Sequence, residues 1–269
     1  MLAEAFFLVC KLKTNCPMAK NSKIEWTDHT ANLWHGCTKV HEGCNNCYAE
    51  KLSHRWGNDF WGDDKARKEI KSFFSDLDKY QNIAKSSNEI HRVFVGSMMD
   101  IFEKSKTLIN SKGEISEYKN SKILRDEFFL RIQQCRYLNL QFLFLTKRPS
   151  NINNFIPYYW KINVPKNVMF GTSISTQEHA QRLINMLVKV NGKRFLSIEP
   201  QLTEIKDIDL TGIDWVIQGG ESGHGKRPFN IDWAYSMRDI CKAQNVPYFF
   251  KQIDKIQEIP QDLMIREFP

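Results

Sequence analysis

The sequence has no run of eighteen or more apolar residues, which in practice excludes a membrane-spanning helix. A secretion signal is not expected, because the opening fits one poorly. The opening MLAEAFFLVCKLKTNCP holds the short apolar run Ala5 to Val9, but Glu4 precedes it, the basic residues follow it, and no small-residue cleavage site appears. Val9 before Cys10 departs from a lipoprotein site, where a small residue is expected. The thiols are therefore expected to lie in a reducing cytoplasm. Pro17-Met18 interrupts the opening and MAKNSKIEW reads like a fresh start. Residues 1–17 are therefore expected to be an upstream extension behind a mis-called start codon, and Cys10 and Cys16 carry little weight. There is no internal repeat, low-complexity tract or clear linker, so residues 18–269 are expected to form a single domain. The glycine-rich GGESGHGK, Gly219 to Lys226, lacks the phosphate-loop spacing G-x4-G-K-[ST]. His35, His41, His54, His91, His179 and His224 are scattered among polar neighbours, and no Ser-His-Asp arrangement can be argued from them.

What is present is ordinary in bulk. The chain has 269 residues, 42% hydrophobic and 26% charged, a balance that suits a soluble globular protein and a length that suits one α/β barrel. Lys and Arg number 38 against 31 Asp and Glu, a net charge of +7 spread along the chain. That excess fits an anionic partner and equally fits a solvated basic surface.

Short apolar, β-branched or aromatic runs recur: RVFVGSMMD (92–100), QFLFLTKRP (141–149), VMFGTSIS (168–175), RFLSIEP (194–200), DWVIQGGESG (214–223) and PYFFKQ (247–252). Near-continuous apolar runs of this length read as strands of a parallel sheet covered on both faces. Helical patterns lie between them. Ser121–Leu138 spaces Ile123, Leu124, Phe128, Ile132 and Cys135 near a 3.6-residue period, and Thr176–Val190 begins with Ser175 and Glu178 in capping-box spacing. Ile231–Ala243 follows Asn230 as N-cap. Strands alternating with helices predict an α/β fold with a parallel sheet, open or closed into a barrel. Residues 57–90 and 103–120 are expected to be polar helical or loop insertions, with Lys65, Arg67, Lys68 and Lys71 as a solvated basic face.

Polar residues cluster where each apolar run stops: Ser97 and Asp100, Thr146 to Arg148, Thr172 and Ser173, Glu199, Gly219 to Ser222, and Lys251. In parallel α/β architectures ligands sit at the carboxyl ends of strands, so these ends are expected to share one mouth.

The stretch HGCTKVHEGCNNCYAE, His35 to Glu50, holds Cys37, Cys44 and Cys47 in a C-x6-C-x2-C pattern after the first strand-like segment. Gly36 and Gly43 precede two of them and let the backbone turn sharply near sulfur. From Cys47 the pattern turns helical, with Ala49, Leu52 and Trp56 on one face and Gly57 as its end, so the thiols lie near a helix N-terminus. A disulfide leaves an odd thiol and suits the wrong compartment. A redox pair of Cys44 and Cys47 ignores Cys37. Structural zinc needs a fourth ligand, which His35, His41 or His54 can offer. An iron–sulfur cluster accounts for the short spacing and, held by three thiolates, leaves one iron open.

IEWTDHTANLWHGCTKVHEGCNNCYAE, VGSMMDIF, LTKRP, FLSIEPQL, WVIQGGESG with RPF, and VPYFFKQ, in this order over about residues 20–252, resemble a phage- and prophage-borne three-cysteine-motif family of unassigned function, similar to radical S-adenosylmethionine enzymes. The resemblance implies a partial or near-complete parallel (β/α) barrel of that type. Cys37, Cys44 and Cys47 would ligate a 4Fe-4S cluster, S-adenosylmethionine would chelate its open iron, and an external electron donor would trigger release of a 5′-deoxyadenosyl radical. The wider superfamily has C-x3-C-x2-C with an aromatic residue just before the last cysteine. Here the first gap is six and Asn46 holds that place, Tyr48 following Cys47. Its GGE triplet follows the second strand, whereas Gly219-Gly220-Glu221 comes late, so Ser97 or Asp100 is expected at the amino end of S-adenosylmethionine and Glu221 as a pocket carboxylate. Ser173 and Glu199 are expected near ribose hydroxyls or substrate donors, Glu199-Pro200 reading equally as a buried turn. Lys147 and Arg148 read as a clamp for a carboxylate or phosphate, and equally as a helix-start salt bridge.

The expected function is a cytoplasmic radical S-adenosylmethionine-type iron–sulfur enzyme. Its expected substrate, a nucleic-acid base or nucleotide, rests on the basic charge, since no base-stacking motif or recognition helix can be read. Two other readings stand beside it: a non-catalytic zinc or iron–sulfur module in phage–host interaction, and a hydrolase or transferase using Asp100, Glu199 and Glu221 with purely structural cysteines.

Overall fold

A computed structural model describes residues 22 and 24–269; the extension expected over 1–17 lies outside them. In chain order the elements are β1 (His29–Ala31), β2 (Trp34–His35), α1 (Tyr48–Arg55), β3 (Arg67–Glu69), α2 (Phe73–Ser87), β4 (His91–Val95), β5 (Thr107–Ile109), β6 (Ile115–Asn120), α3 (Ser121–Gln133), β7 (Leu140–Thr146), α4 (Ile152–Phe155), β8 (Val168–Ser173), α5 (Gln177–Leu187), β9 (Lys193–Ile198), β10 (Trp215–Gly219), α6 (Asp232–Ala243) and β11 (Tyr248–Gln252). The six apolar runs are β4 and β7 to β11. With β1 they form a seven-stranded sheet in the order β1-β4-β7-β8-β9-β10-β11, every pair parallel.

The period of two along each strand separates two cores. Val93, Val95, Phe142, Phe144, Val168, Phe170, Leu196, Ile198, Val216, Tyr248 and Phe250 face one way, into the large core made with the helices. Phe94, Leu143, Met169, Phe195, Trp215, Ile217 and Phe249 face the other way and form a second cluster with Trp26. In a flat sheet β4 and β10 stand four strand spacings apart, about 19 Å. The Trp26 indole nonetheless lies 4.7 Å from the ring of Phe94 and 6.3 Å from that of Trp215. The sheet is therefore curled into a half barrel, and Trp26, just ahead of β1, plugs its amino end. Gly171 permits this curl: a Cβ there would sit 2.4 Å from the ring of Phe195, which lies across the strand on the concave side.

The helices cover the convex face. α2 packs on β1, β4 and β7, α5 on β8, and α6 on β10 and β11. α3 sets Phe128 at 5.3 Å from Phe142 and 5.9 Å from Phe144. The architecture is a partial parallel β/α barrel, and among the described residues no helix is long and apolar enough to cross a membrane.

The structure departs from the sequence reading in five places. The expected insertion 57–90 contains α2, whose buried Phe73, Leu77 and Ala84 make it the first crossover helix of the sheet. The stretch 103–120 is a strand pair, and a second sheet, β2-β3-β5-β6, is assembled from the connections that follow β1 and β4. α3 ends at Gln133 because Cys135 takes a left-handed backbone (φ 58°), which leaves Cys135 exposed. α5 is capped by Thr176, whose hydroxyl accepts the His179 N–H at 3.2 Å, so Ser175 and Glu178 do not form the expected box. The N-cap position of α6 is Ile231, with no side-chain cap, and not the expected Asn230, whose Oδ1 accepts the Asp232 N–H from one residue further out.

Candidate functional site

The loop carrying Cys37, Cys44 and Cys47 runs from β2 to α1 across the carboxyl ends of the strands. Four contacts locate it. Tyr48 donates its hydroxyl to the Ser97 carbonyl beyond β4 at 2.7 Å. Arg148, beyond β7, brings Nη1 to 3.9 Å from Cys37 Sγ. Gly43 lies so close to Ser175, beyond β8, that a Cβ would sit 2.6 Å from its hydroxyl. Asn46 donates to Glu221, beyond β10, at 3.0 Å. The expected convergence of polar strand ends is thus real, and the cysteine loop spans it. Cys47 is the N-cap of α1, and Cys37 and Cys47 pack on one small apolar cluster of Ala49, Trp61 and Met98. Trp56, expected on one face with Ala49 and Leu52, is 55% exposed and stacks on His35.

The first end of the loop is gripped by buried charge. Arg67, expected on a solvated face, has no exposed surface: its guanidinium donates to both oxygens of Glu103 (2.7 and 3.0 Å), to the Thr38 hydroxyl, and to the carbonyls of Phe60, Gly62 and Lys65. Arg148 donates to Asp100 at 2.8 Å and to the Thr38 carbonyl at 2.5 Å, with Glu103 at 3.9 Å. Asp100 also accepts from the Thr146 hydroxyl and the N–H groups of Lys147 and Phe102. Burial opposes the charge on Arg148, but Asp100, Cys37 and Glu103 outweigh it and raise its pKa. Burial pushes the Cys37 thiol up to about 12, with Asp100 adding and Arg148 opposing. Burial therefore favours the neutral thiol of Cys37 over its thiolate.

The second end is gripped by the segment 220–228. Glu221 accepts from Asn46 and from the backbone and guanidinium of Arg227, whose Nη1 also donates to the Glu42 carbonyl. Burial alone would raise the Glu221 pKa, but the hydrogen bonds from Arg227 and Asn46 prevail and hold it below the usual carboxylate range.

In the middle, His41, Glu42 and His179 bring ligand-type atoms within 4.8 Å of one another. They are not a ready metal site. Burial, with Lys147, His179 and Arg182 adding, lowers the His41 pKa to about 3, so the ring is neutral. Its Nδ1 accepts the Gly43 N–H at 3.1 Å, so the proton sits on Nε2 and neither nitrogen has a lone pair to spare. Of the histidines considered as a fourth ligand to zinc, His41 is committed to this cap, His35 lies against Trp56, and His54 is exposed on α1.

The alternation that aims Phe195 and Ile217 into the half barrel also aims Ser173, Ser197, Glu199 and Lys251 inward above that apolar floor. Glu199 and Lys251 form an ion pair there, with side chains 19% and 12% accessible. Tyr48 is 52% accessible, yet burial raises the pKa of its phenol, with Cys47 and Glu199 adding. A cavity of about 790 Å³ between α6 and the C-terminal segment opens at the amino end of β11, away from the mouth.

The sequence-predicted residues separate into two groups. Cys37, Cys44, Cys47, Ser173, Glu199, Glu221 and Ser97 border the mouth, although Glu221 and Ser97 are engaged with the loop through Asn46, Arg227, Asn32 and Tyr48. Asp100 and Arg148 are spent on each other and on the loop, which matches the salt-bridge alternative for Arg148. The Lys147 ammonium has no hydrogen-bond partner among the described residues. Glu103, Arg67, Asn46 and Arg227 are site residues that the sequence does not assign: Asn46 and Arg227 lie inside recognised motifs, Arg67 inside the basic face, and Glu103 carries no signal.

No curated protein and no solved structure matches the chain. Residues 21–263 match one family model, described as protein of unknown function DUF5131, and the chain belongs to that family.

Proposed function

We propose that the protein is an iron–sulfur enzyme of the radical S-adenosylmethionine type, with Cys37, Cys44 and Cys47 holding a 4Fe-4S cluster at the mouth of the half barrel. The observation that carries the reading is the three-cysteine loop itself, laid across the carboxyl ends of β4, β7, β8 and β10 and held at both ends by ion pairs. Two observations support it: Cys37 and Cys47 pack on one apolar cluster, and the Arg148 guanidinium faces Cys37, surroundings that suit thiolate ligands, while the three sulfurs do not themselves converge within 4.8 Å as the His41, Glu42 and His179 atoms do. With S-adenosylmethionine bound, such a cluster supplies a 5′-deoxyadenosyl radical on one-electron reduction by an external donor.

The chain's own residues do the rest. Phe195, Trp215 and Phe249 give the concavity an apolar floor. Glu199 and Lys251, paired with each other and partly accessible, offer polar groups to ribose or substrate above the buried Ser173 and Ser197, and Lys147 offers its ammonium to a carboxylate or phosphate. A nucleic-acid base or nucleotide is the substrate class that the +7 charge favours, in a cytoplasmic protein carried by phage.

Anaerobic purification followed by iron, sulfide and zinc analysis tests the cluster. Near-equal iron and sulfide are expected, each lost with Cys37→Ala, Cys44→Ala or Cys47→Ala. One zinc and no sulfide removes the reading. Adding S-adenosylmethionine and dithionite should release 5′-deoxyadenosine. A cluster that never yields it leaves a non-catalytic module as the better account.

A further inference from the structure

The charged groups behind Cys37 form a closed set. Arg67, Glu103, Arg148 and Asp100 have side chains 0%, 4%, 13% and 6% accessible, and their two positive and two negative charges cancel. They are not arranged evenly. Arg148 stands nearest to sulfur, Nη1 at 3.9 Å from Cys37 Sγ, while the same Nη1 is fixed by Asp100 at 2.8 Å. Glu103 sits behind, held through both oxygens by Arg67. Arg148 has no freedom to swing away, because its other terminal nitrogen is bonded to the Thr38 carbonyl, one residue from Cys37.

We propose that this buried quartet sets the reduction potential of the group that the three thiols hold, with Arg148 as the positioning residue that presents positive charge to Cys37. The inference rests on the iron–sulfur reading. Reduction by the external one-electron donor adds negative charge to a centre already carrying thiolates, and a fixed cation beside one ligand favours the reduced form. The quartet is out of reach of mobile ions, so the effect is little screened by salt.

The charge arithmetic separates this role from simple bracing. Arg148→Gln leaves the quartet one unit negative, and Asp100→Asn leaves it one unit positive, although both variants damage the same contact. Looser packing would move both potentials the same way. The electrostatic role moves them in opposite directions, by about tenfold each in the reduction equilibrium, which is about 59 mV for one electron.

The experiment is a potentiometric titration of the anaerobically reconstituted full-length protein, monitored by the electron paramagnetic resonance of the reduced cluster. Arg148→Gln should be harder to reduce than the native protein and Asp100→Asn easier, with Arg148→Lys closest to native and the differences persisting at high salt. Shifts of the same sign, or none beyond twofold, overturn the proposal while leaving the cluster in place. A native protein without iron and sulfide overturns the iron–sulfur reading and the proposal together. Should Arg148→Gln fail to hold the cluster, Glu103→Gln joins Asp100→Asn in the comparison, and a lowered potential in either rejects the role.

Discussion

Replacing Arg67 by methionine removes a fully buried cation and leaves Glu103, 3% exposed, without its main partner. Arg148 remains near Glu103, but at 3.9 Å and already bound to Asp100, so it compensates only in part. Breaking a buried pair from one side costs about 3–5 kcal/mol. The carbonyls of Phe60, Gly62 and Lys65 also lose a donor, but they are close enough to the surface for water to replace part of that loss. Arg67→Met should therefore destabilise the protein by about 3–5 kcal/mol, a large part of the 5–15 kcal/mol typical of a folded domain. With a urea slope of about 3 kcal/mol/M the midpoint falls by 1 M or more. The double variant Arg67→Met/Glu103→Leu removes both charges and should be more stable than Arg67→Met alone, with a coupling of about 2 kcal/mol or more. Equilibrium urea unfolding followed by circular dichroism measures all four corners of the cycle. A cost below about 1 kcal/mol for Arg67→Met, or strict additivity in the double variant, would refute the idea that this pair locks the cysteine loop to its platform.

Other perturbations probe the same framework. Gly43→Ala puts a Cβ 2.6 Å from the Ser175 hydroxyl and 2.8 Å from the His41 ring, so the loop must lift off β8; bound iron per chain should fall, and full iron with an unchanged melting temperature would contradict the packing. Gly171→Ala drives a methyl into the ring of Phe195 and should cost about 1–3 kcal/mol in thermal or urea unfolding, most of it recovered in Gly171→Ala/Phe195→Leu; failure of that rescue would place the strain elsewhere. Burial, with His91 adding and Asp28 opposing, lowers His29 from 6.5 to about 4. The unfolded chain then binds a proton that the folded one refuses, so stability is full above pH 6.5 and falls as the pH drops towards 4, by up to about 3 kcal/mol. His41, lowered to about 3, contributes to the same slope, so His29→Gln should make the fall between pH 6.5 and 4 shallower without abolishing it, and a curve parallel to the native one would reject the assignment.

Much of the fold was legible because parallel strands buried on both faces must be apolar almost throughout. The runs around Phe94, Phe142, Phe170, Leu196, Val216 and Phe249 could hardly be anything else, and their polar ends pointed to one mouth. The second half of the candidate site was harder to read, since a charged side chain carries no sign of its partner. Arg67 sits among Lys65, Lys68 and Lys71 and looks solvated, yet Glu103, 36 residues later, draws it wholly inside. Asp100 and Arg148 looked like ligand-binding groups for the same reason, and each turned out to satisfy the other. α2 was read as an insertion because its buried stripe is narrow, Phe73, Leu77 and Ala84 within a mostly polar helix.

By itself, then, the sequence determined the α/β character, the strands of the sheet and the loop of three thiols, all features set by local pattern and covalent spacing. Only the tertiary structure decided that the sheet curls until Trp26 meets both Phe94 and Trp215, and that the thiol loop is bolted down at both ends. The same holds for which charges are occupied. These outcomes depend on groups far apart in the chain, whose pairing is chosen by the cost of burying an uncompensated charge.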